Sequence, residues 1–236
     1  SISRPHPRLP LFALQQDTSA EVDTGETKWT IVTDANGFRV NATQTTDDSR
    51  PVALWLGDSY TFGHGVNHEQ SWVGRLAADP ERRYRHVNAG VPSYGVIHYR
   101  AVLDDLLAQG ITPKLVLVVT FVGNDFHDCV WDKNLPVRDG ILGNPGGVKV
   151  FLKRRFHLYR LLSKLKHSST VQHRDPYSEV RKQLYSESEW KRDVLLEALP
   201  KYRDALAAIA KTCAARGVEV AGVVIPTADA IGPIEG

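Results

Sequence analysis

Short apolar runs of strand length alternate along this chain with longer stretches that have helical spacing. The four runs predicted to be strands are Val52–Leu56, Tyr84–Asn88, Leu115–Phe121 and Val218–Ile225. The predicted helices lie at His68–Ala78, at Tyr94–Gln109, and from a capping box at Ser186 to Arg216. Continuous apolar runs are typical of strands buried on both faces. The alternation therefore predicts an α/β fold, a flavodoxin-like three-layer α/β/α domain with a mainly parallel sheet.

Residues 1–50 have a different pattern and are predicted to be an N-terminal extension of the main domain, 51–236. Polar and apolar residues alternate at 29–33 and at 38–42, on either side of the pair Asn36-Gly37. An Asn-Gly pair between two alternating segments is a strong signal for a tight β-hairpin. We expect this hairpin to pack on the main domain.

A long insertion, at about 129–185, separates the third predicted strand from the fourth. Its main feature is a basic amphipathic helix, Val150–His167, with leucines and aromatic residues on one face and lysines and arginines on the other. We favour an ordinary surface helix whose charged face is solvated. The alternative is a lid, or a surface for anionic glycans or lipid headgroups. Pro200 is expected to kink the helix that follows, unless a new helix begins there.

Composition narrows the class of protein. The 236 residues, 42% of them hydrophobic, suit one α/β domain with a full core. The net charge of +2 does not favour a nucleic-acid partner, and no apolar run is long enough to span a bilayer. Because the sequence has no Met, we expect the natural chain to begin upstream, which leaves room there for a leader or membrane anchor. Cys129 and Cys213 are expected to be free thiols, and no metal or cofactor is implied.

Three polar clusters directly follow the first three predicted strands. They are Gly57-Asp58-Ser59, Asn88-Ala89-Gly90 and Gly123-Asn124-Asp125. Their spacing is close to that of βαβ units, which need about 30 residues each. Because the carboxyl ends of parallel strands meet at one edge of a sheet, the three clusters are predicted to share one cleft there.

The residue types in these clusters suit acyl transfer. A serine at a strand-to-helix turn, as at Ser59, can act as a nucleophile. The backbone N–H of Gly90 and the side-chain amide of Asn124, together with the Ser59 N–H, could stabilise the oxyanion of a tetrahedral intermediate.

These clusters resemble, in order and placement, the first three motif blocks of the SGNH/GDSL hydrolases. The resemblance spans about residues 52–126, and the strand pattern extends it to Pro226. It implies a catalytic role for Ser59, Gly90 and Asn124.

Three further residues near these motifs are given roles, and the resemblance also bears on the cellular location. Asp58 and Asp125 are expected to organise their loops as hydrogen-bond acceptors, and with Tyr60 they are assigned to the substrate site. The hairpin sequence 36–39 also resembles the leader of extracytoplasmic bacterial members, so an extracytoplasmic location, periplasmic or secreted, is weakly favoured.

The fourth block of this family, Asp-x-x-His, which supplies the general base, is missing. None of the nine histidines has an aspartate three positions before it. We expect the block to lie beyond Gly236, in which case residues 1–236 alone would show little esterase activity. The rival explanation is an inactive relative, or a substitute base, for which His127 is the best candidate. For all three histidines near the motif blocks, His64, His68 and His127, we favour an ordinary surface or helix-start position.

The resemblance implies a serine esterase that acts through an acyl-enzyme. Its expected partner is a small ester, with O-acetylated carbohydrate as first choice and a lipid ester as second, and the oligomeric state is left open. The alternative is an inactive module of the same fold that binds a glycan in the same cleft.

Overall fold

The fold is known from a computed structural model. It describes residues 2–4, 6, 9, 12–23, 27–41, 48–130, 137–138, 141–142 and 189–226. The predicted basic helix Val150–His167 and the capping residue Ser186 lie outside these residues, as does most of the insertion at 129–185.

Ten strands and five helices are present in the described part of the chain. The strands are β1 (Ser3–Arg4), β2 (Ala13–Leu14), β3 (Ser19–Asp23), β4 (Lys28–Val32), β5 (Val52–Leu56), β6 (Arg85–Asn88), β7 (Leu115–Phe121), β8 (Val137–Arg138), β9 (Ile141–Leu142) and β10 (Glu219–Ile225). The helices are α1 (Ser59–Phe62), α2 (Trp72–Ala78), α3 (Val96–Ala108), α4 (Asp125–Asp128) and α5 (Glu189–Ala214), with a 3-10 turn at His68–Gln70 before α2.

A four-stranded parallel sheet in the order β10-β7-β5-β6 forms the centre of the fold. Numbered by their order in the sequence, these four strands lie side by side as second, first, third and fourth (β6, β5, β7 and β10). This is the flavodoxin-like order, in which the strand order reverses between β5 and β7. The predicted parallel sheet is confirmed, and its switch point lies between the strands that precede Ser59 and Asn124.

Helices cover both faces of this sheet, which confirms the three-layer arrangement. On one face, Leu54, Leu56 and Val116 are buried in a cluster with side chains from α3 and α5. On the other face, Trp55 and Val119 pack with residues of α2. Neighbours along one strand, such as Leu54 and Trp55, thus belong to opposite layers. This is the reason that β5 has a continuous apolar sequence instead of an alternating one.

The N-terminal strands pair differently from the expected hairpin. β4 pairs antiparallel with the upstream strand β3, over all five residues of each. The Asn36-Gly37 turn does form, and the Gly37 N–H donates to Asp34 O at 2.9 Å. Beyond the turn, however, only a single bridge joins Thr33 to Arg39, and Arg39 then bridges to Asn88 at the end of β6. The chain leaves β4 because the Arg39 side chain is directed into the main domain.

Arg39 is buried against the loop that follows α1. Its guanidinium donates to Phe62 O at 2.8 Å and also to Gly63 O and Val66 O. Its charge lies 4.6 Å from the centre of the Phe62 ring, and only 1% of the residue is exposed. Burial lowers the pKa of Arg39 to about 10, and the charge of Glu69 opposes the shift. The extension and the nucleophile turn are therefore held together by one buried cation and three carbonyl oxygens.

β10, the fourth strand of the sheet, and α5, the helix before it, are more exposed to solvent than the rest of the sheet and its helices. Pro200 lies inside α5, which runs without interruption from Glu189 to Ala214. β10 occupies one edge of the sheet, and its Val220 and Val224 are 41% and 63% exposed. Among the described residues, no helix has an apolar stretch of the length a bilayer requires.

We predict that Arg39→Met lowers the free energy of unfolding by about 3 kcal/mol, because buried carbonyl oxygens would lose their donors at about 1–3 kcal/mol each. Urea unfolding at pH 7 measures the change. Arg100→Met is the matched control, since Arg100 is bonded only to exposed Asp104 at 2.6 Å and should cost less than about 1 kcal/mol. Equal losses in the two variants would contradict the role assigned to Arg39.

Candidate active site

The turn that holds Ser59 is fixed at both ends. Asp58 caps the start of α1, and its carboxylate accepts the Tyr60 N–H at 2.8 Å. Gly63 ends the helix in a left-handed conformation, with φ +79°, and its N–H donates to Ser59 O at 3.0 Å. A residue with a Cβ is strained at that φ. Caps at both ends stabilise a helix of four residues, which is too short to persist alone, with Ser59 at its N-terminus.

Ser59 opens into a cavity of about 680 Å³ at the carboxyl edge of the sheet. A volume of this size suits a small-molecule ligand. The residues that line it come from the first and third polar clusters, from the segment after α1, from the end of β7 and from two positions just beyond the second cluster: Ser59, Tyr60, Gly63, His64, Val66, Gln70, Ser71, Trp72, Pro92, Ser93, Phe121, Gly123 and Asn124. The structure thus brings Ser59 and Asn124 together across the switch point of the sheet.

Gly90 lies directly behind the nucleophile turn and is not in the cavity lining. A Cβ at this position would lie 2.6 Å from Phe62 N and 3.0 Å from Thr61 C, so only glycine allows β6 and α1 to approach this closely. The Gly90 N–H donates to Asn88 Oδ1 at 3.1 Å, and Asn88 Nδ2 donates to Thr61 O at 2.8 Å. Gly90 can therefore donate to an oxyanion only by sharing or exchanging its bond to Asn88.

Asn124 lies between buried carboxylates. Its Nδ2 is 3.4 Å from Asp58 Oδ2 and 3.3 Å from Asp128 Oδ2. Burial raises the pKa of Asp58, hydrogen bonds from the Tyr60 N–H and Asn124 oppose the rise, and Asp128 adds to it. Asp125 is fully buried and accepts the Phe121 N–H at 2.8 Å. Asp58 and Asp125 thus both accept backbone N–H groups of their own loops.

Three histidines were candidates for this site, and the structure separates them. His64 lines the cavity, with its ring edge-on to Trp29 at 5.2 Å, and partial burial and the charge of Arg39 lower its pKa. His68 begins the 3-10 turn before α2, which agrees with the helix-start alternative, but it is buried, and burial and Arg39 lower its pKa to about 4. His127 lies in α4, but its side chain is outside the described part of the chain.

One wall of the cavity is aromatic. The rings of Tyr60 and Phe121 lie 4.1 Å apart and 35° from parallel. Trp72 donates its indole N–H to Tyr60 O at 3.2 Å and packs edge-on against Trp55. Tyr60 is 48% exposed, so its ring is accessible to a ligand. Polar side chains, including Gln70 and Ser93, complete the lining.

Sequence reasoning identified the cavity-lining Ser59, Tyr60 and Asn124 but missed the residues that hold them in place. Arg39 was noted only within the hairpin motif, and Asp128 was not noted at all. A polar residue four positions after Asn124, at the end of the short helix that Asn124 precedes, is a usable signal, because residues four positions apart in a helical turn are neighbours. For Arg39, no local signal exists, since the carbonyl oxygens it binds after α1 lie more than 20 positions away.

No metal centre is formed by histidine, cysteine, aspartate or glutamate side chains in the part of the chain that the structure describes. Cys129 and Cys213 are both free and buried. Burial raises the pKa of Cys129 to about 12 and also raises that of Cys213, so neither thiol ionises at neutral pH.

Comparison with known proteins gives weak similarities only. No family model and no curated protein matches the chain. Among solved structures, it is similar to a member of the lipolytic protein G-D-S-L family from Veillonella parvula DSM 2008, at 17% identity and a TM-score of 0.32, over 78% of this chain and 84% of that one. It is also similar to a mutant of the esterase AlinE4, at 16% identity and a TM-score of 0.30, over 72% and 94%.

A third similar structure is a gut microbial diltiazem-metabolizing enzyme, at 13% identity and a TM-score of 0.30. The alignment covers 76% of this chain but only 38% of the enzyme. All three similarities are too low to carry a functional argument, so the function has to be argued from the site itself.

We predict that His68→Gln flattens the dependence of stability on pH between about pH 6.5 and 5. The unfolded chain protonates this histidine near 6.5 and the folded chain only near 4. The unfolded state therefore binds more protons in this window, and stability falls as the pH falls, by about 3 kcal/mol at full extent. Urea unfolding at several pH values compares the two proteins. The same slope in both would show that His68 is not held neutral.

Proposed function

We propose that this chain is a serine esterase of the SGNH/GDSL type, with Ser59 as its nucleophile. The observation that carries the proposal is the position of Ser59 at a capped helix N-terminus, in a cavity of about 680 Å³ that it shares with the amide of Asn124. A helix N-terminus favours the negative charge that develops in acyl transfer. Ligand sites of open parallel sheets also lie at the switch point of strand order.

The reaction would proceed through a covalent intermediate. Ser59 Oγ attacks the ester carbonyl carbon, and the hydroxyl proton passes to a base. The oxyanion accepts hydrogen bonds from the Ser59 N–H, from Asn124 Nδ2 and from the Gly90 N–H once it is shared with Asn88. The C–O bond then breaks, and the alcohol leaves with a proton. Water hydrolyses the acyl-enzyme, which regenerates Ser59.

The general base is the unassigned part of this mechanism. Among the described residues, none forms a hydrogen bond with Ser59 Oγ. His64 lines the same cavity, and its lowered pKa favours the neutral form that can accept a proton. His127 stays a candidate because it is only three positions beyond Asn124. The proposal therefore assigns the nucleophile and the oxyanion donors and leaves the base to experiment.

The cavity lining favours an O-acetylated carbohydrate over a lipid ester. An exposed Tyr60 ring backed by Phe121 offers a flat apolar surface, and Gln70, Ser93 and His64 provide hydrogen-bonding groups nearby. A sugar ring has an apolar face and a polar edge and matches both. A long acyl chain needs continuous apolar contact, and Gln70, Ser93 and Asn124 interrupt the apolar part of this lining.

An inactive glycan-binding module is the second candidate. It is favoured by the lack of a hydrogen-bonded histidine at Ser59 among the described residues, since a serine without a base is a poor nucleophile. Both candidates bind the same ligand in the same cavity. Only covalent reactivity of Ser59 separates them.

We predict that a fluorophosphonate probe labels Ser59 and that Ser59→Ala abolishes both the labelling and any hydrolysis of p-nitrophenyl acetate. Labelling should be slow, because no described residue accepts the Ser59 proton. The melting temperature should be nearly unchanged, since Ser59 is partly exposed and makes no core contact. Ser49→Ala, at an exposed serine that does not line the cavity, is the control and should keep both activities. Labelling that persists in Ser59→Ala would exclude Ser59 as the nucleophile.

We predict that Tyr60→Ala weakens binding of an O-acetylated methyl glucoside about tenfold, the loss expected for one ring contact. The Ser59→Ala background separates binding from turnover, and fluorescence of the cavity residue Trp72 reports occupancy. Tyr60→Phe keeps the ring and should bind as the parent protein does. Tighter binding of an octanoyl ester than of the acetylated sugar would favour a lipid substrate instead.

A further inference from the structure

The side-chain amide of Asn124 is held at its nitrogen end only. Asp58 and Asp128, which approach Nδ2 at 3.4 and 3.3 Å, are 1% and 2% exposed. Asn124 Oδ1 is also buried, yet it has no hydrogen-bond partner in the described part of the chain. An amide whose oxygen is unpaired depends on the contacts of its nitrogen for its orientation.

The two carboxylates also exclude the alternative orientation of this amide. Rotation of the carboxamide by 180° would place Oδ1 of Asn124 against two buried carboxylate oxygens. Such a contact is repulsive, and each carboxylate would lose its hydrogen bond from Asn124 in a region of low dielectric. Attraction between Nδ2 and the two carboxylates therefore favours the observed orientation of the amide. Repulsion between Oδ1 and the same carboxylates disfavours the rotated one.

The geometry points to Asp128 as a positioning residue that acts, together with Asp58, by fixing the orientation of the Asn124 amide. The backbone supports this assignment, because the Asp128 N–H donates to Asn124 O at 2.8 Å. Asn124 immediately precedes α4 and Asp128 ends it, so the two residues are one helical turn apart. Asp58 follows β5 and Asp128 follows β7. The two carboxylates together form a clamp on the Asn124 amide, and this clamp joins the segments that follow the two strands.

The hydrogen bonds from Asn124 Nδ2 to the two carboxylates are long, which suits a donor that must exchange one acceptor for another. Distances of 3.3 and 3.4 Å lie at the weak end of the hydrogen-bond range. An oxyanion in the cavity could therefore replace one carboxylate as the acceptor without a large loss. This consequence rests on the proposed function, whereas the fixed orientation of Asn124 does not.

The clamp should open in acid. Asp58 is surrounded by Asp128 and Asp125 of α4 and by the buried hydroxyl of Tyr99 in α3, whose own pKa is raised by burial and by these three carboxylates. Burial also places the pKa of Asp58 above its ordinary value, and Asp128 contributes to that shift. Protonation of Asp58 turns an acceptor for Asn124 into a donor. Removal of the Asp128 charge should move this protonation to lower pH.

The test follows the Asn124 side-chain amide by ¹⁵N-¹H NMR, with its signal assigned by its loss in Asn124→Ser. In the unmodified chain, the signal should shift with pH as Asp58 titrates. In Asp128→Asn it should be displaced at pH 7, and its titration midpoint should fall to lower pH. Asp104→Asn removes the same charge from an exposed position on α3 and should leave the signal unchanged.

Two outcomes would overturn the proposal. One is an Asn124 signal that is the same in Asp128→Asn as in the Asp104→Asn control. The other is a signal in the unmodified chain that does not respond to pH, a result that needs no folded variant. A parallel measurement of fluorophosphonate labelling in Asp128→Asn, expected to be about tenfold slower, connects the clamp to catalysis. If the NMR result holds and Ser59 is not labelled in any protein, the clamp stands and the proposed function fails.

Discussion

A buried cation, Arg39, links the N-terminal extension to the segment that follows α1. Arg39 comes from the N-terminal segment, and its donors end on the carbonyl oxygens that follow α1. Those oxygens lie at the negative end of the short helix, where a positive charge is favourable. A four-residue helix has too few internal hydrogen bonds to keep its shape. The orientation of Ser59 at its other end therefore depends on a residue that lies outside the parallel sheet.

The rest of the site is also built from short segments at the ends of strands, each held by a polar side chain. Asn88 holds β6 to the carbonyl of Thr61, Asp58 holds the start of α1, and Asp125 holds the end of β7. Each side chain satisfies a backbone group that has no partner in the sheet or in a helix. Most polar residues of the motif blocks thus stabilise their own loops by hydrogen bonds to the backbone. Ser59 and Asn124 are the ones that lie in the lining of the cavity.

The sequence was informative where structure depends on local pattern. The apolar runs at 52–56 and 115–121 predicted β5 and β7 because strands buried on both faces need unbroken apolar sequence. The meeting of Ser59 and Asn124 followed from the direction of parallel strands. The pairing of β3 with β4 was missed although Ala20 and Val22 alternate with polar residues at 19–23, because the Asn36-Gly37 turn signal favoured a downstream partner for β4. The roles of Arg39 and Asp128 depend on side-chain hydrogen bonds, which leave no periodicity in the sequence.

The place of β10 in the sheet has a consequence for the order of assembly during synthesis. β10 pairs with β7 along all seven of its residues, but it is made roughly a hundred residues later. At a translation rate of about 5–20 residues per second, β7 waits on the order of 5–20 s for this neighbour. During that time, one edge of an apolar strand has unpaired backbone groups. β10 therefore covers this edge of β7 only late in synthesis, and until then the exposed edge can associate with other unfinished chains.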